Sequence, residues 1–296
     1  MKAAKWGEAG RHLTARLLQF DIRGWRRAMD VLWGLLFLTG FYPLALALHA
    51  NRRTTLRQPL LWAVLAWATW TGVAWNRVLH AEQDGRLGPY LALGLTGCAG
   101  IAVLGARRPG VAAWNFVVVG LLAVLLLPVL NGLGEVRLET VHELFLCVIL
   151  SVPLLNYLPT RLAPAVGLVA VGCGLEIPPV WGMDSSAAVQ SAGLALLSVS
   201  PWIAWMALLR RGASAAEFDR LWLAYRDRFG FVWGQRMREQ FNRAAHHAGW
   251  PVVLRWAGLR TTTPQATTDQ AALLATLRGV LKRFGPDEEG DKLQGE

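Results

Sequence analysis

The sequence predicts an all-α protein: a multi-pass bundle of about seven hydrophobic transmembrane helices, followed by a small, mainly helical C-terminal cytoplasmic domain. Apolar residues make up 54% of the chain and charged residues only 17%, whereas a soluble domain has about 25% charged residues. The charges are also unevenly placed, because they are sparse from Val31 to Leu209 and dense on either side. This pattern is typical of a membrane region with polar ends.

The first element, residues 1–29, is predicted to be a basic arm. The bundle follows over residues 30–211. Its apolar segments are approximately 31–49, 59–79, 89–106, 110–130, 141–158, 163–180 and 187–209. Each is near the ~20 residues that cross a bilayer core. All are predicted to be helices, because backbone polar groups cannot stay unpaired in lipid. Gly40 and Pro43 leave a re-entrant hairpin as an alternative for the first segment.

The loops between these segments alternate in charge. One set carries Arg52, Arg53, Arg57, Arg107, Arg108, Arg161, Arg210 and Arg211, and the other carries Glu82, Asp84, Glu135, Glu139 and Asp184. Basic loops collect on the cytoplasmic side. We therefore expect a multi-pass protein of the plasma (inner) membrane with a cytoplasmic C-terminus. Seven crossings would place the basic arm outside, so the side of the N-terminus stays open.

The C-terminal region divides into an amphipathic-helix cytoplasmic domain, residues 212–285, and a disordered acidic tail, residues 286–296. Ser214 and Glu217 have the spacing of a capping box. The long helix that follows carries an apolar stripe with helical periodicity: Phe218, Trp222, Tyr225, Phe229, Trp233, Met237 and Phe241. The stripe fits a domain core, a membrane-surface helix or a partner-docking helix. A short strand over 252–256 and a second helix over about 269–283 complete the domain.

Four arginines of the long helix lie largely off the apolar stripe: Arg220, Arg228, Arg238 and Arg243. Guanidinium groups on one face of a helix suit lipid phosphates or an acidic protein surface. These arginines are the candidate lipid or partner surface. Nucleic-acid binding is not expected, because no motif of a known reader accompanies the basic charge.

The stretch "RLETVHEL", residues 137–144, has two interpretations. Thr140 and Glu143 have capping-box spacing, which would make this the start of a helix. Alternatively, Glu139 and His142 have a metal-ligand spacing, and His80 is a further candidate ligand on the same predicted side of the membrane. The sequence leaves both interpretations open.

Glu176 is the carboxylate that lies nearest to an apolar span, in "GCGLEIPPVW". Such a group is costly in lipid and marks a substrate or proton pathway. Glu176, His142 and Glu143 are therefore candidate substrate or proton-relay residues, with Arg137 or His142 as the expected partner of Glu176. Pro178 and Pro179 are expected to end or break the helix just after it, which leaves a position at the membrane interface as the alternative for Glu176.

No cofactor is expected, because the three cysteines lie alone in apolar segments and no haem-attachment, P-loop or hydrolase motif is present. Two function classes remain. One is a non-enzymatic scaffold, assembly or accessory subunit that contacts the bilayer and a protein partner at its cytoplasmic domain. The other is a transporter or membrane-embedded enzyme that uses the outer-face Glu/His cluster. Whether the protein is an enzyme stays open at this stage.

Overall fold

The computed structural model describes residues 2–80, 85–107, 110–132, 136, 138–209, 216–262 and 269–284, without the side chains of 2–23 and 26. Several predictions therefore lie outside the described residues. They concern Arg137, Ser214, the acidic tail 286–296 and the loop charges at Glu82, Asp84, Arg108, Glu135, Arg210 and Arg211.

The predicted all-α class is confirmed. The first seven helices are α1 (Lys2–Ala50), α2 (Arg57–Leu79), α3 (Leu87–Leu104), α4 (Val111–Asn131), α5 (Thr140–Tyr157), α6 (Ala163–Val180) and α7 (Ala187–Leu209). Six of the described helices are long and apolar enough to cross a membrane: 27–50 of α1, and all of α3 to α7. The predicted segment 59–79, in α2, falls outside this set, because tryptophans, threonines and flanking polar residues reduce its apolar character.

The re-entrant alternative for the first segment is wrong. Helix α1 continues through Gly40 and Pro43 to Ala50 without reversing direction. Gly40 has a packing reason, because a Cβ there would lie 2.8 Å from Cε2 of the Trp67 indole. The glycine lets α1 and α2 approach closely, and it does not mark a turn.

Helix α2 packs against α1 and α3, and its tryptophans bond to neighbouring helices. Trp67 Nε1 donates to the carbonyl of Phe37 at 2.8 Å, and Trp70 Nε1 donates to Thr96 Oγ1 at 3.0 Å. Trp62 Nε1 donates to Asn115 Oδ1 at 2.9 Å. Because an unpaired buried donor is costly, these bonds fix α2 against α1, α3 and α4.

The helices run up and down, so the connections gather at two ends. We call the end at which α1, α3, α5 and α7 finish the basic end, since its described connections contain Arg52, Arg53 and Arg161. The opposite end contains the finish of α2, α4 and α6. The two ends carry different candidate sites.

The C-terminal part lies at the basic end. It comprises α8 (Glu217–His247), the strands β1 (Val252–Arg255) and β2 (Gly258–Thr261), and α9 (Gln270–Leu281), with a 3-10 turn over Lys282–Phe284. The strands form an antiparallel hairpin that pairs Val252 with Thr261. Strand β2 was not predicted, because its residues GLRT lack an apolar alternation. The hairpin is held to α8, where Asn242 Oδ1 accepts from Leu254 N at 2.7 Å.

The apolar stripe of α8 forms a core. All seven of its residues are buried, and they pack with Leu273, Leu277 and Phe284. The same cluster contains Leu56, Val103 and Ala106, which come from the basic end of the bundle. Because the stripe is used in this shared core, the interpretation of it as a membrane-surface face is wrong.

Candidate functional site

Glu176 lies in α6 with its side chain fully buried, and it forms an ion pair with Arg77 of α2. Arg77 Nη2 is 2.6 Å from Glu176 Oε2, and Nη1 is 3.4 Å from Oε1. The expected partner His142 forms no described hydrogen bond or ion pair with Glu176, so that expectation is wrong. A two-pronged guanidinium–carboxylate contact is the arrangement that best offsets the loss of hydration of both charges.

Helix α7 closes over this ion pair. A Cβ at Gly193 would lie 2.8 Å from Glu176 Oε1, so only glycine gives the carboxylate its space. The prediction that Pro178 and Pro179 end α6 just after Glu176 is confirmed, because the helix finishes at Val180, directly after the two prolines. The two prolines have no N–H to donate, so the carbonyls of Gly174 and Leu175 lose their intrahelical partners in the last turn.

A cavity of about 600 Å³ opens beside the ion pair at the opposite end. Arg77, whose side chain is 22% exposed, lines it and connects it to the buried carboxylate. The polar lining also includes Asn76, Arg86, Asp184, Ser185 and Gln190. Gly182 is in the left-handed region with φ 81°, and a Cβ there would lie 2.9 Å from Arg86 Nη1. The glycine therefore allows Arg86 to rest against the α6–α7 turn.

The predicted capping box at Thr140 and Glu143 is not formed. The N-cap of α5 is Glu139, and no side chain makes a capping hydrogen bond there. The Glu139 carbonyl accepts from Glu143 N at 3.1 Å, so the helix starts one residue earlier than the spacing predicts. Glu143 is then the fourth helical residue, and the capping box requires the third.

The predicted metal ligands do not converge in the described part of the chain. No three His, Cys, Asp or Glu side chains among the described residues are grouped as a metal site requires. His80 is the C-cap residue of α2, and Glu139 is exposed at the start of α5. The buried Nδ1 of His142 has no hydrogen-bond partner among these residues. Glu139, His142 and His80 remain a sequence-based hypothesis.

At the basic end, the side chain of Asn156 in α5 forms hydrogen bonds on both sides of a break in α8, and we call this contact the clasp. Gly230 has φ 79° and ψ −166°, which interrupts the helix. Asn156 Oδ1 accepts from Val232 N at 3.0 Å, and its Nδ2 donates to the Phe229 carbonyl at 3.4 Å. A Cβ at Gly230 would also lie 2.8 Å from the Asn156 carbonyl oxygen. The clasp thus replaces backbone bonds that the kink removes.

A buried charged cluster, formed by Asp227 with Arg226 and Arg161, lies next to this clasp, and we call it the hub. Asp227 Oδ1 accepts from Arg226 Nη2 at 2.6 Å and from the backbone N of Arg161 at 3.2 Å. Arg226 Nη1 in turn donates to the carbonyl of Trp256 at 2.8 Å. The hub joins the α5–α6 connection, α8 and the β-hairpin, and each buried charge in it has a partner.

Two indole donors complete the attachment of the domain. Trp233 Nε1 donates to the Val103 carbonyl at 3.1 Å, and Trp256 Nε1 donates to the Pro159 carbonyl at 2.7 Å. The Pro159 carbonyl lies just beyond the end of α5. The Val103 carbonyl lies in the last turn of α3, where it also accepts from Ala106 N at 3.1 Å. The C-terminal domain is therefore a fixed extension of the bundle.

Tyr225 is an exception in this core. Its hydroxyl is buried and has no hydrogen-bond partner among the described residues. Burial raises the pKa of the phenol well above its usual value, and the positive charge of Arg107 opposes this rise. The ring stacks on Phe229, with 4.7 Å between centroids. Tyr225 thus contributes through its ring.

The predicted lipid or partner arginines all lie on α8. Arg220, Arg228 and Arg243 are exposed, and Arg238 is half-buried. The Arg243 side chain is 74% exposed and lies 3.9 Å from Glu239. A contact this exposed contributes at most about 1 kcal/mol, so the Arg243–Glu239 pair does not hold the fold together.

Sequence reasoning missed Arg77 and the cavity next to it. Arg77 lies near the end of an apolar segment, where an arginine usually extends to the membrane surface. The only sequence signal was the presence of Glu176 near the same predicted side. No protein-family model matches the chain, and no curated protein or solved structure matches it.

Proposed function

We propose that this membrane protein is a non-enzymatic accessory or assembly subunit whose C-terminal domain holds a basic surface in a fixed position for an acidic protein partner. One observation carries the proposal. The apolar face of α8 is used in the core that it shares with the bundle, so the domain presents arginines to its surroundings. Residues 216–262 contain eight arginines against four acidic residues.

We infer the orientation from the basic end. Arg52, Arg53 and Arg161 lie there with the C-terminal domain, and such charges are retained in the cytoplasm. This orientation places the domain in the cytoplasm and the start of α1 on the other side. Labelling of an engineered cysteine near Ala3 by a membrane-impermeant reagent tests it, since reagent outside intact cells should reach that position.

The partner surface is tested with full-length protein in native membranes. A photo-crosslinker next to Arg238 and Arg243 should capture one partner, and Arg238→Glu with Arg243→Glu should abolish the capture. The control is Arg255→Glu with Arg260→Glu, which makes the same charge change on the β-hairpin. Equal capture by wild type and both variants would remove the support for a basic docking surface.

A second candidate function is binding or transport of a small polar solute at the opposite end. It is favoured by the buried Arg77–Glu176 ion pair beside a polar cavity of about 600 Å³. Buried ion pairs rarely improve stability over apolar packing, and ionisable groups inside a bundle usually mark solute pathways. His142 and Glu143 do not line this cavity among the described residues, so their relay role stays a prediction.

Ligand-dependent thermal stabilisation tests the second candidate. Small carboxylates and phosphate should raise the unfolding temperature of wild type, and Arg86→Gln should remove the effect without changing the ligand-free value. If none of these anions changes the unfolding temperature in a way that depends on Arg86, the cavity is not an anion site. Elemental analysis of protein purified without chelator tests the separate metal hypothesis for Glu139, His142 and His80.

A further inference from the structure

A second cavity, of about 620 Å³, lies at the basic end between α1, α7 and α8. Its lining has two chemical parts. One is an apolar wall formed by α1 and α7, with Leu44, Ala47, Ala204, Trp205 and Leu208 among its members. The other is a charged rim formed mainly by α8.

The rim follows from the spacing of residues on α8. Arg220, Leu223, Ala224, Asp227 and Arg228 all line the cavity. They are separated by three, four, seven and eight positions from the first, which places them on one face of a helix. This face is distinct from the apolar stripe that forms the domain core.

The rim carries net positive charge. Asp227 is occupied by Arg226 and by Arg161, which also lines the cavity. Arg220 and Arg228 are exposed, and neither forms an ion pair with any residue that the structure describes. The charged rim therefore carries two guanidinium groups that are not neutralised by a described carboxylate, next to the apolar wall of α1 and α7.

The position of the cavity matches a membrane interface. Helices α1 and α7 are both long and apolar enough to cross a membrane, and both finish here. Leu46 and Leu208, on their walls, are 40% and 46% exposed. The apolar wall thus continues onto the lipid-facing surface, and the arginines lie at the level at which a helix leaves the bilayer.

We propose that this cavity binds an anionic phospholipid, with the phosphate between Arg220 and Arg228 and an acyl chain along α1 and α7. A free phosphate would not need the apolar wall, and an uncharged apolar molecule would not need the arginines. Basic pockets between transmembrane helices on the cytoplasmic side recognise lipid headgroups in this way. The inference rests on the proposed function, because it takes the basic end as cytoplasmic and names a ligand for it.

The test uses full-length protein in mild detergent and measures retained lipid by native mass spectrometry. Phosphatidylglycerol and phosphatidylcholine with the same acyl chains are compared, and inorganic phosphate is added as a competitor. We expect phosphatidylglycerol to bind with one tight site. Arg220→Gln with Arg228→Gln should weaken it roughly 30-fold, the effect of two arginine contacts near an anionic headgroup.

Two further variants separate the wall from the charge. Ala204→Trp places a large side chain in the space beside the apolar wall, so it should weaken phosphatidylglycerol binding without changing the charge of the cavity. If Ala204→Trp does not fold, Ala47→Phe reduces the same space with a smaller side chain. Arg255→Gln with Arg260→Gln makes the same charge change away from the cavity and should leave binding unchanged. Unfolding temperatures of all variants confirm that they are folded.

Several outcomes would overturn the proposal. Equal weakening by the Arg255 and Arg260 control would show general surface attraction, and equal binding of phosphatidylcholine would remove the role of charge. Competition by millimolar phosphate with no effect of wall filling would make the site one for a soluble anion. None of these results bears on the partner surface at Arg238 and Arg243, so failure of the lipid site and failure of the proposed function are distinguishable.

Discussion

Replacement of Gly230 by alanine should release the C-terminal domain from the bundle. Gly230 is the point at which α8 breaks, and it lies against Asn156 of α5. An added methyl group would overlap the Asn156 amide and lie 2.8 Å from its backbone oxygen. Neither contact can relax easily, because one involves backbone and the other an amide that is already bonded.

The expected magnitude has two parts. With φ 79° and ψ −166°, Gly230 is in a region that is essentially restricted to glycine, and holding another residue there costs about 1–3 kcal/mol. Displacing the Asn156 amide leaves Val232 N without its acceptor, which costs a further ~1–3 kcal/mol. The docked state should therefore lose about 2–6 kcal/mol.

Hydrogen exchange of the full-length protein in nanodiscs measures this loss directly. A change of about 3 kcal/mol raises the population of the undocked state more than 100-fold. Amides of α8 between 218 and 245 should exchange faster by that factor, while the bundle helices α4 and α6 should change little. Sensitivity of α8 to a protease should rise in parallel.

Gly120→Ala is the matched control. Gly120 is in α4, and a Cβ there would meet nothing within 4 Å, so alanine should be neutral or stabilise through its helix propensity. Adding Asn156→Ala to Gly230→Ala should be less damaging than the sum of the two, because the amide that clashes is gone. If Gly230→Ala exchanges like Gly120→Ala, the clasp does not hold the domain and the reasoning is refuted.

Three further predictions concern other contacts. Arg77→Gln should lower the free energy of unfolding by about 3–5 kcal/mol, because it leaves Glu176 buried without a partner. Arg77→Met with Glu176→Leu should recover most of this stability when unfolding is measured in detergent. An Arg77→Gln protein as stable as wild type would contradict the prediction. Gly97→Ala should lower the free energy of unfolding by about 1–3 kcal/mol, because the added methyl group overlaps Ile149. The double variant with Ile149→Ala should lose less stability than the two single variants together. Additive changes in unfolding temperature would count against this contact. Tyr225→Phe should be neutral or stabilising near neutral pH, since the hydroxyl has no described partner. Because the pKa of Tyr225 is raised on folding, its contribution falls as pH rises above the unfolded value, so the variant should flatten the alkaline decline of stability; parallel pH profiles would disprove it.

Much of the fold could be predicted, because its signals are local. Runs of apolar residues determine which segments form helices in lipid, and the period of the α8 stripe determines which face is buried. The sequence alone could not show what covers that face. Leu56 and Val103 are far away in the chain, and it is the packing of the bundle that places them in one core with Trp233.

The candidate sites were less predictable, because they depend on pairs of distant residues. Glu176 was identified by the cost of a carboxylate in a span, and burial agrees with that reasoning. Its partner could not be identified, since several basic residues lie on the same predicted side and the helix order in space decides among them. At Thr140 the motif was correct in spacing, but the helix starts one residue earlier.

The shared core also determines how function must be tested. Removal of residues 212–296 would expose Leu56, Val103 and Ala106, and it would leave the Asn156 side chain and the Val103 carbonyl without their partners in α8. A truncated protein would therefore lose stability in the bundle as well as any ligand of the domain. Surface substitutions such as those at Arg238 and Arg243 change the exposed charge and leave the core intact. Only variants of this kind can attribute a lost interaction to the basic surface.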